Sequence, residues 1–422
     1  MKHMNEGWGI YPHRFGSYYC DHEDVWFTAF YYNALFKLDK ESSKVEYMGS
    51  FPNENPYGIR LYSYVVKQCG KLYFVPLNAK EIAVYDLNTG QFEKIDFDKN
   101  RSKNGIDIVE NNPGFKFSMA VVYSRYIFFI GMCYPAIVRY DTETRNIDYF
   151  TDWVNPLKQR GCSGELYFIG GALDGNKLYL AACETNAVVA FDMNTFKSSV
   201  YEIGSKDSKY RGICFDGKHC WLTPRFGVPI VIWDPLTNDY KEYGGVPVDS
   251  LLENDYYICF YLSGYVCMFR TDGNLVLMIN VMEEHIERMD KFHRLDSWCF
   301  PTAKESALYA INLDNCLLKY DIRTKQLHEW PIRLTEETLC EVNARLFDID
   351  IEACRTAHNS IFSEGRTVLW NLHEFLRYIT HGPDRMTAIR SSKELPPKND
   401  LVNTAETAGQ KIYSYLKNSL TD

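Results

Sequence analysis

A short motif recurs along this chain: an aromatic residue or Leu, then Asp, two variable residues, and Ser or Thr. Its copies are Leu38-Asp39 with Ser42, Tyr85-Asp86 with Thr89, Tyr140-Asp141 with Thr144, Phe191-Asp192 with Thr195, Trp233-Asp234 with Thr237, and Tyr320-Asp321 with Thr324. A β-rich run precedes each, as in Ile82-Ala83-Val84-Tyr85, and an alternating run follows, as in Gln91 to Ile95. That pattern is a repeated hairpin. Asp and Ser/Thr bond their own backbone a few residues on, which suits them to the tight turn. The motif Asp residues are separated by 47, 55, 51, 42 and 87 residues, the last being about two periods. One unit is therefore degenerate, expected near Tyr265 to Asn280 around Thr271-Asp272-Gly273. Cys214-Phe215, Cys259-Phe260 and Cys299-Phe300, spaced by 45 and 40 residues, repeat with the same period.

Units of this length with four short strands each stack radially into a β-propeller. The reading is an all-β chain of about seven four-stranded blades; six or eight also satisfy the spacing. One unit reads Tyr62 to Val66, Lys71 to Pro76, Ile82 to Asp86 and Gln91 to Ile95. Two sandwiches would not hold a motif at constant phase over this length. Aromatic residues make up 15% of the 422 residues, ample for a large core. A net charge of -9 with no basic block disfavours nucleic acid or an anionic membrane as a partner. The most apolar windows, Tyr256 to Phe269 and Leu275 to Met282, are shorter than the roughly 18 residues of a membrane span. Thirteen cysteines without a C-x-x-C pair read as reduced thiols. With no secretory pattern before Pro12, the expected location is the cytoplasm.

The aromatic-Asp-x-x-Thr hairpin resembles the blades of bacterial YVTN, quinoprotein-like and streptogramin-lyase-like propellers. Over about residues 16 to 331 the resemblance implies the fold and, being carried by turn and core positions, no activity. The Gly that follows Thr in those units survives only at Gly90.

Residues 1–15 form an N-terminal segment in which Gly7 to Pro12 offer a ring-closing strand, 16–331 the propeller, and 332–422 a C-terminal extension. In the extension a strand is expected over 332 to about 360. Leu372, Phe375, Leu376 and Ile379 then share one helical face, as do Ala405, Ala408, Ile412, Tyr415 and Leu416 in a second helix. These helices offer a packing or oligomer surface.

Chemical motifs are sparse. No metal-ligand cluster, P-loop or dinucleotide fingerprint occurs, so no metal or cofactor is expected. Gly161-Cys162-Ser163-Gly164 misses the nucleophile-elbow pattern, and Asp348-Ile349-Asp350 reads as one face of a strand. If the motif turn joins the two outer strands of a blade, the loops joining second to third strands, and blade to blade, share the opposite face. Counting back from the motif places Tyr31, Asn33, Asn78, Tyr134, Glu184, Asn186 and Arg225 in the first kind of loop. Tyr57, Arg60, Arg160, Arg211 and His293 fall in the second. Arginine clasps carboxylate or phosphate and Tyr stacks on flat rings, so the set suits a polar or anionic small molecule, a glycan or a partner protein. The leading expectation is a non-catalytic recognition or scaffold propeller. The alternative is a lyase- or epimerase-like enzyme on an anionic or sugar-like substrate, with His293, Glu184 and Tyr134 transferring protons.

Overall fold

The structure, a computed structural model, describes residues 14–56, 58–99, 114–225, 229–243, 256–270, 276–292, 294–295 and 301–347. They form seven antiparallel sheets of four consecutive strands each, paired in sequence order. Blade 1 contains β1 (Phe15–Cys20), β2 (Asp24–Ala29), β3 (Leu35–Asp39) and β4 (Val45–Gly49). Blade 2 contains β5 (Tyr62–Gln68), β6 (Lys71–Pro76), β7 (Ile82–Asp86) and β8 (Phe92–Ile95). Blade 3 contains β9 (Phe117–Tyr123), β10 (Tyr126–Gly131), β11 (Ile137–Asp141) and β12 (Ile147–Phe150). Helix α1 (Val154–Gln159) precedes blade 4, which contains β13 (Gly171–Asp174), β14 (Lys177–Ala181), β15 (Ala187–Asp192) and β16 (Lys197–Glu202). Blade 5 contains β17 (Tyr210–Phe215), β18 (Cys220–Pro224), β19 (Ile230–Trp233) and β20 (Tyr240–Tyr243). Blade 6 contains β21 (Tyr256–Leu262), β22 (Tyr265–Arg270), β23 (Val276–Asn280) and β24 (His285–Met289). Blade 7 contains β25 (Thr302–Lys304), β26 (Ala307–Ile311), β27 (Cys316–Asp321) and β28 (Gln326–Pro331), and helix α2 (Glu336–Phe347) follows.

The first strand of each blade lies innermost, since β1 meets β5, β5 meets β9, β13 meets β17 and β17 meets β21. The motif makes the turn between the two outer strands. Asp86 Oδ1 accepts from the amides of Asn88 and Thr89 at 2.9 and 3.1 Å, and Asp39, Asp141, Asp192 and Asp234 repeat this arrangement. Asp321 Oδ1 takes the amide of Thr324 at 2.9 Å. The degenerate unit does the same through Asn280, whose Oδ1 accepts from Met282 and Glu283 at 3.0 and 3.2 Å. Its motif turn thus starts at Asn280, at the end of β23, the second of the two strands expected there. Asn supplies the same acceptor oxygen as Asp, so geometry is kept where the sequence signature is lost.

The residue before each turn packs between blades: Tyr85, Tyr140, Phe191, Trp233, Ile279 and Tyr320 are all buried. Apolar clusters join each of the six successive blade pairs from 1–2 to 6–7. Burial of such side chains is worth about 1.5 to 3 kcal/mol each. Blade 7 meets blade 1 through Tyr18, whose Oη donates to Tyr309 O at 2.8 Å and accepts from Thr302 Oγ1 at 3.2 Å.

Among the described residues every blade is built from four consecutive strands. Residues 336–347 are helical, where the sequence reading placed a strand. Thr335 Oγ1 caps the helix by accepting the Thr338 amide at 3.2 Å, and Leu339 and Val342, one turn apart, are buried. The helix lies on β4: Thr338 Oγ1 donates to Val45 O at 3.3 Å, and Arg345 sits 5.0 Å over the Tyr47 ring. Gly7 to Pro12 and the two helices expected beyond 370 lie outside the described residues.

Candidate functional site

Two faces follow from this topology. The lower face carries the motif turns and the turns joining first to second strands. The loop face carries the other connections, and every sequence-selected residue within the described residues is on it.

The centre of the loop face is filled. Leu77, Met132 and Cys183, from the loops joining second to third strands in blades 2, 3 and 4, form a buried cluster with Ile169 from the connection into blade 4. Ile258, on the inner strand of blade 6, packs against the same cluster. Side chains of blades 2, 3, 4 and 6 can meet only across the ring axis. Glycine also lets the neighbouring inner strands of blades 5 and 6 lie close. A Cβ on Gly212 of blade 5 would lie 3.1 Å from the Cys259 amide, too tight for backbone that cannot yield. Burial pushes the Cys183 thiol up to about 12, against the opposing pull of Arg211 and Arg225.

Cations surround this plug. Arg60, at φ +48°, is held between two aromatic faces, with its guanidinium 5.4 Å from the Phe30 ring of blade 1 and 5.2 Å from the Phe115 ring. The Arg14 guanidinium lies 5.0 Å from the same Phe30 ring. Arg225 Nη1 donates to Cys183 O at 2.7 Å, bridging blades 5 and 4. Arg211 is the extra residue of a β-bulge: Tyr210 pairs with Pro224 and Gly212 with Thr223. Bulges at the same place in β5, β9 and β21 set Ser63, Ser118 and Tyr257 out of register, and such bulges re-aim side chains at sheet ends. The bulge, not any motif, places Arg211 at the rim.

Several selected residues serve the loops themselves. Asn33 is buried; its Nδ2 donates to Phe51 O and its Oδ1 accepts from the Phe51 amide, both at 2.8 Å. Asn78 Nδ2 donates to Ile59 O and Arg60 O at 3.0 and 3.2 Å, setting the backbone beneath Arg60. Arg160 turns outward to Glu202 at 2.9 Å. Tyr31 packs edge-on to Phe30, and Asn186 is buried with its carbonyl accepting from the Ile203 amide.

Of the residues selected for proton transfer, Tyr134 and Glu184 are each engaged by loop residues. Tyr134 is buried and donates to Asp98 Oδ1 at 2.9 Å. Glu184 Oε2 accepts from the Ser163 amide at 2.6 Å, from Cys162 Sγ at 3.2 Å and from the Gly164 amide at 3.2 Å, while Ser163 Oγ donates to Oε1 at 2.9 Å. Burial alone would raise the Glu184 pKa, but these bonds outweigh it and hold the carboxyl below its ordinary value. Gly161-Cys162-Ser163-Gly164 is therefore the segment that Glu184 anchors. His293 and Tyr57 lie outside the described residues. Among the described residues no group of His, Cys, Asp and Glu is arranged to hold a metal ion.

The sequence matches no protein-family model and no curated protein. Among solved structures, virginiamycin B lyase from Staphylococcus aureus superimposes with a TM-score of 0.52 at 13% identity, over 72% of this chain and 93% of that one. PorZ, a surface component of the type-IX secretion system of Porphyromonas gingivalis, gives a TM-score of 0.51 at 9% identity over 76% of this chain and 38% of that one. BamB from Moraxella catarrhalis gives 0.49 at 14% identity, over 72% and 83%. The likeness is one of fold. The chain is a seven-bladed β-propeller resembling the streptogramin-lyase-like propellers, and no residue role passes to it from them.

Proposed function

We propose that this chain is a non-catalytic recognition propeller whose loop face takes an anionic group displayed on a partner protein, a glycan or a polar small molecule. The observation that carries this is the filled centre of the loop face: Leu77, Met132, Ile169 and Cys183 are buried together, and Ile258 of blade 6 packs against them across the axis. A funnel closed in this way offers a shallow platform, not a chamber that surrounds a substrate and excludes water. Around it stand guanidiniums fixed from separate blades: Arg14 and Arg60 by aromatic faces, Arg225 by a carbonyl. Side chains immobilised in advance lose less entropy on binding, and guanidinium geometry matches carboxylate and phosphate. Glu184 and Tyr134 are spent on loop anchoring, which speaks against the proton-transfer alternative.

Titration of the protein with a hexaglutamate peptide and with a uronate oligosaccharide tests the reading. Arg14→Ala or Arg60→Ala should weaken binding about ten- to a hundredfold, the value of one charge-assisted bond. Lys325→Ala, on the lower face, should leave it unchanged. Undiminished binding in both arginine variants, or no binding of either probe, would refute the loop face as an anion-recognition surface.

A further inference from the structure

We propose that the lower face carries a second binding site, for a phosphate group, formed by Lys40, Lys304 and Lys319 where the first and last blades meet. The three come from separate elements: Lys40 from the motif turn of blade 1, Lys304 from the end of β25 and Lys319 from β27. All are half-buried. Lys40 Nζ donates to Asp21 O and, at 3.4 Å, to His22 O, and Lys304 Nζ lies 3.5 Å from Cys20 O. Two ammoniums from opposite sides of the seam thus gather at three consecutive carbonyls of one turn. Aromatic faces flank the cluster, with Lys40 5.5 Å from the Trp330 ring, Lys304 5.9 Å from Tyr19 and Lys319 6.0 Å from Tyr309.

Among the described residues, no carboxylate forms an ion pair with any of the three. Three other lower-face lysines are paired: Lys37 with Asp24 at 3.0 Å, Lys71 with Asp86 at 3.4 Å and with Glu93, and Lys325 with Glu287 at 3.1 Å. Asp21, in the turn itself, is engaged by Lys67. The chain holds 55 acidic against 46 basic residues, so acids are not scarce. Three like charges gathered in a half-buried seam repel one another: Lys40 is lowered by burial first and further by Lys319 and Lys304, and Asp21, already held by Lys67, opposes this only in part. Cys20, buried between them, supplies no counter-charge, because burial pushes its thiol up to about 12. Carbonyl oxygens and ring faces attract the ammoniums but do not neutralise them. A tetrahedral oxyanion does both, since its several oxygens accept from several point-charge donors at once.

Calorimetric titration of the full chain with inorganic phosphate, and with chloride at matched ionic strength, tests the assignment. Phosphate should bind and chloride should not. Lys40→Gln and Lys319→Gln should each lower the affinity about ten- to a hundredfold, and Lys319→Arg should retain most of it. Lys325→Gln, a paired lysine on the same face, should have no effect, and neither should Arg60→Ala, which separates this site from the loop-face reading. Glycerol phosphate distinguishes an esterified from a free phosphate by whichever binds more tightly. No phosphate-specific binding, or binding undiminished in both Lys40→Gln and Lys319→Gln, would overturn the proposal.

Discussion

Each motif turn ends on a residue in left-handed conformation: Ser43, Gly90, Arg145, Phe196, Asn238, Glu284 and Lys325, with φ between 51° and 69°. Only one of the seven is Gly. The left-handed region costs a side-chain-bearing residue about 1 to 2 kcal/mol, partly offset because Gly loses more freedom on folding. Ser43→Gly should therefore raise stability by about 0.5 to 1 kcal/mol, and Gly90→Ser should lower it by a similar amount. At Gly90 a Cβ would meet only Tyr85 Oη at 3.6 Å, so backbone angle and not crowding decides the sign. Urea midpoints of both variants check this; shifts of the same sign would show that the angle is not in control. Motif Asp residues were legible because their bonds reach two and three residues along the chain. Asn280 escaped because its neighbour at the Thr position is Glu283. The anchoring role of Glu184, which the sequence reading selected for proton transfer, was not legible, since the donors it anchors are 20 to 22 residues away in sequence.

At the level of elements, the alternation of buried and exposed positions made strands readable, and β5 to β8 fall within two residues of the sequence reading. Bulges were invisible, because one extra residue in an inner strand leaves no mark in a period-two pattern. Helix α2 was missed because the boundary depends on Thr335 as a cap and on Leu339 and Val342 finding β4, a strand about 290 residues earlier. Its position gives blade 1 a cover for an outer edge, the part of a sheet most prone to unwanted pairing. Thr335→Ala should cost about 1 kcal/mol through the lost cap, and Leu339→Ala about 2 to 5 kcal/mol through the cavity it leaves. Thermal denaturation with circular dichroism reads both, and an unchanged midpoint for Leu339→Ala would mean that the helix does not stabilise blade 1.

For the whole molecule, repeat spacing gave the blade number, whereas the manner of closure depends on contacts between the two ends of the ring and so has no local signature. Among the described residues the ends of the ring are tied by side chains, each blade being built of four consecutive strands. Among the described residues the inner strand at the seam, β25, spans three residues, against seven in β5, β9 and β21. Tyr18 is a principal tie there, donating to Tyr309 O at 2.8 Å and accepting from Thr302 at 3.2 Å. Tyr18→Phe removes both bonds, keeps the ring volume and leaves a buried carbonyl without its donor, at a cost of about 1 to 3 kcal/mol. In a ring, such a loss is felt first where opening requires the least, because solenoid-like assemblies lose neighbour interfaces one at a time. Amide exchange in β1, β25 and β26 should accelerate in this variant about five- to a hundredfold, while β10 and β14, two and three blades away from the seam, keep their rates. Equal acceleration in all blades would instead show that the ring opens only as one cooperative unit, and that Tyr18 contributes to global stability alone.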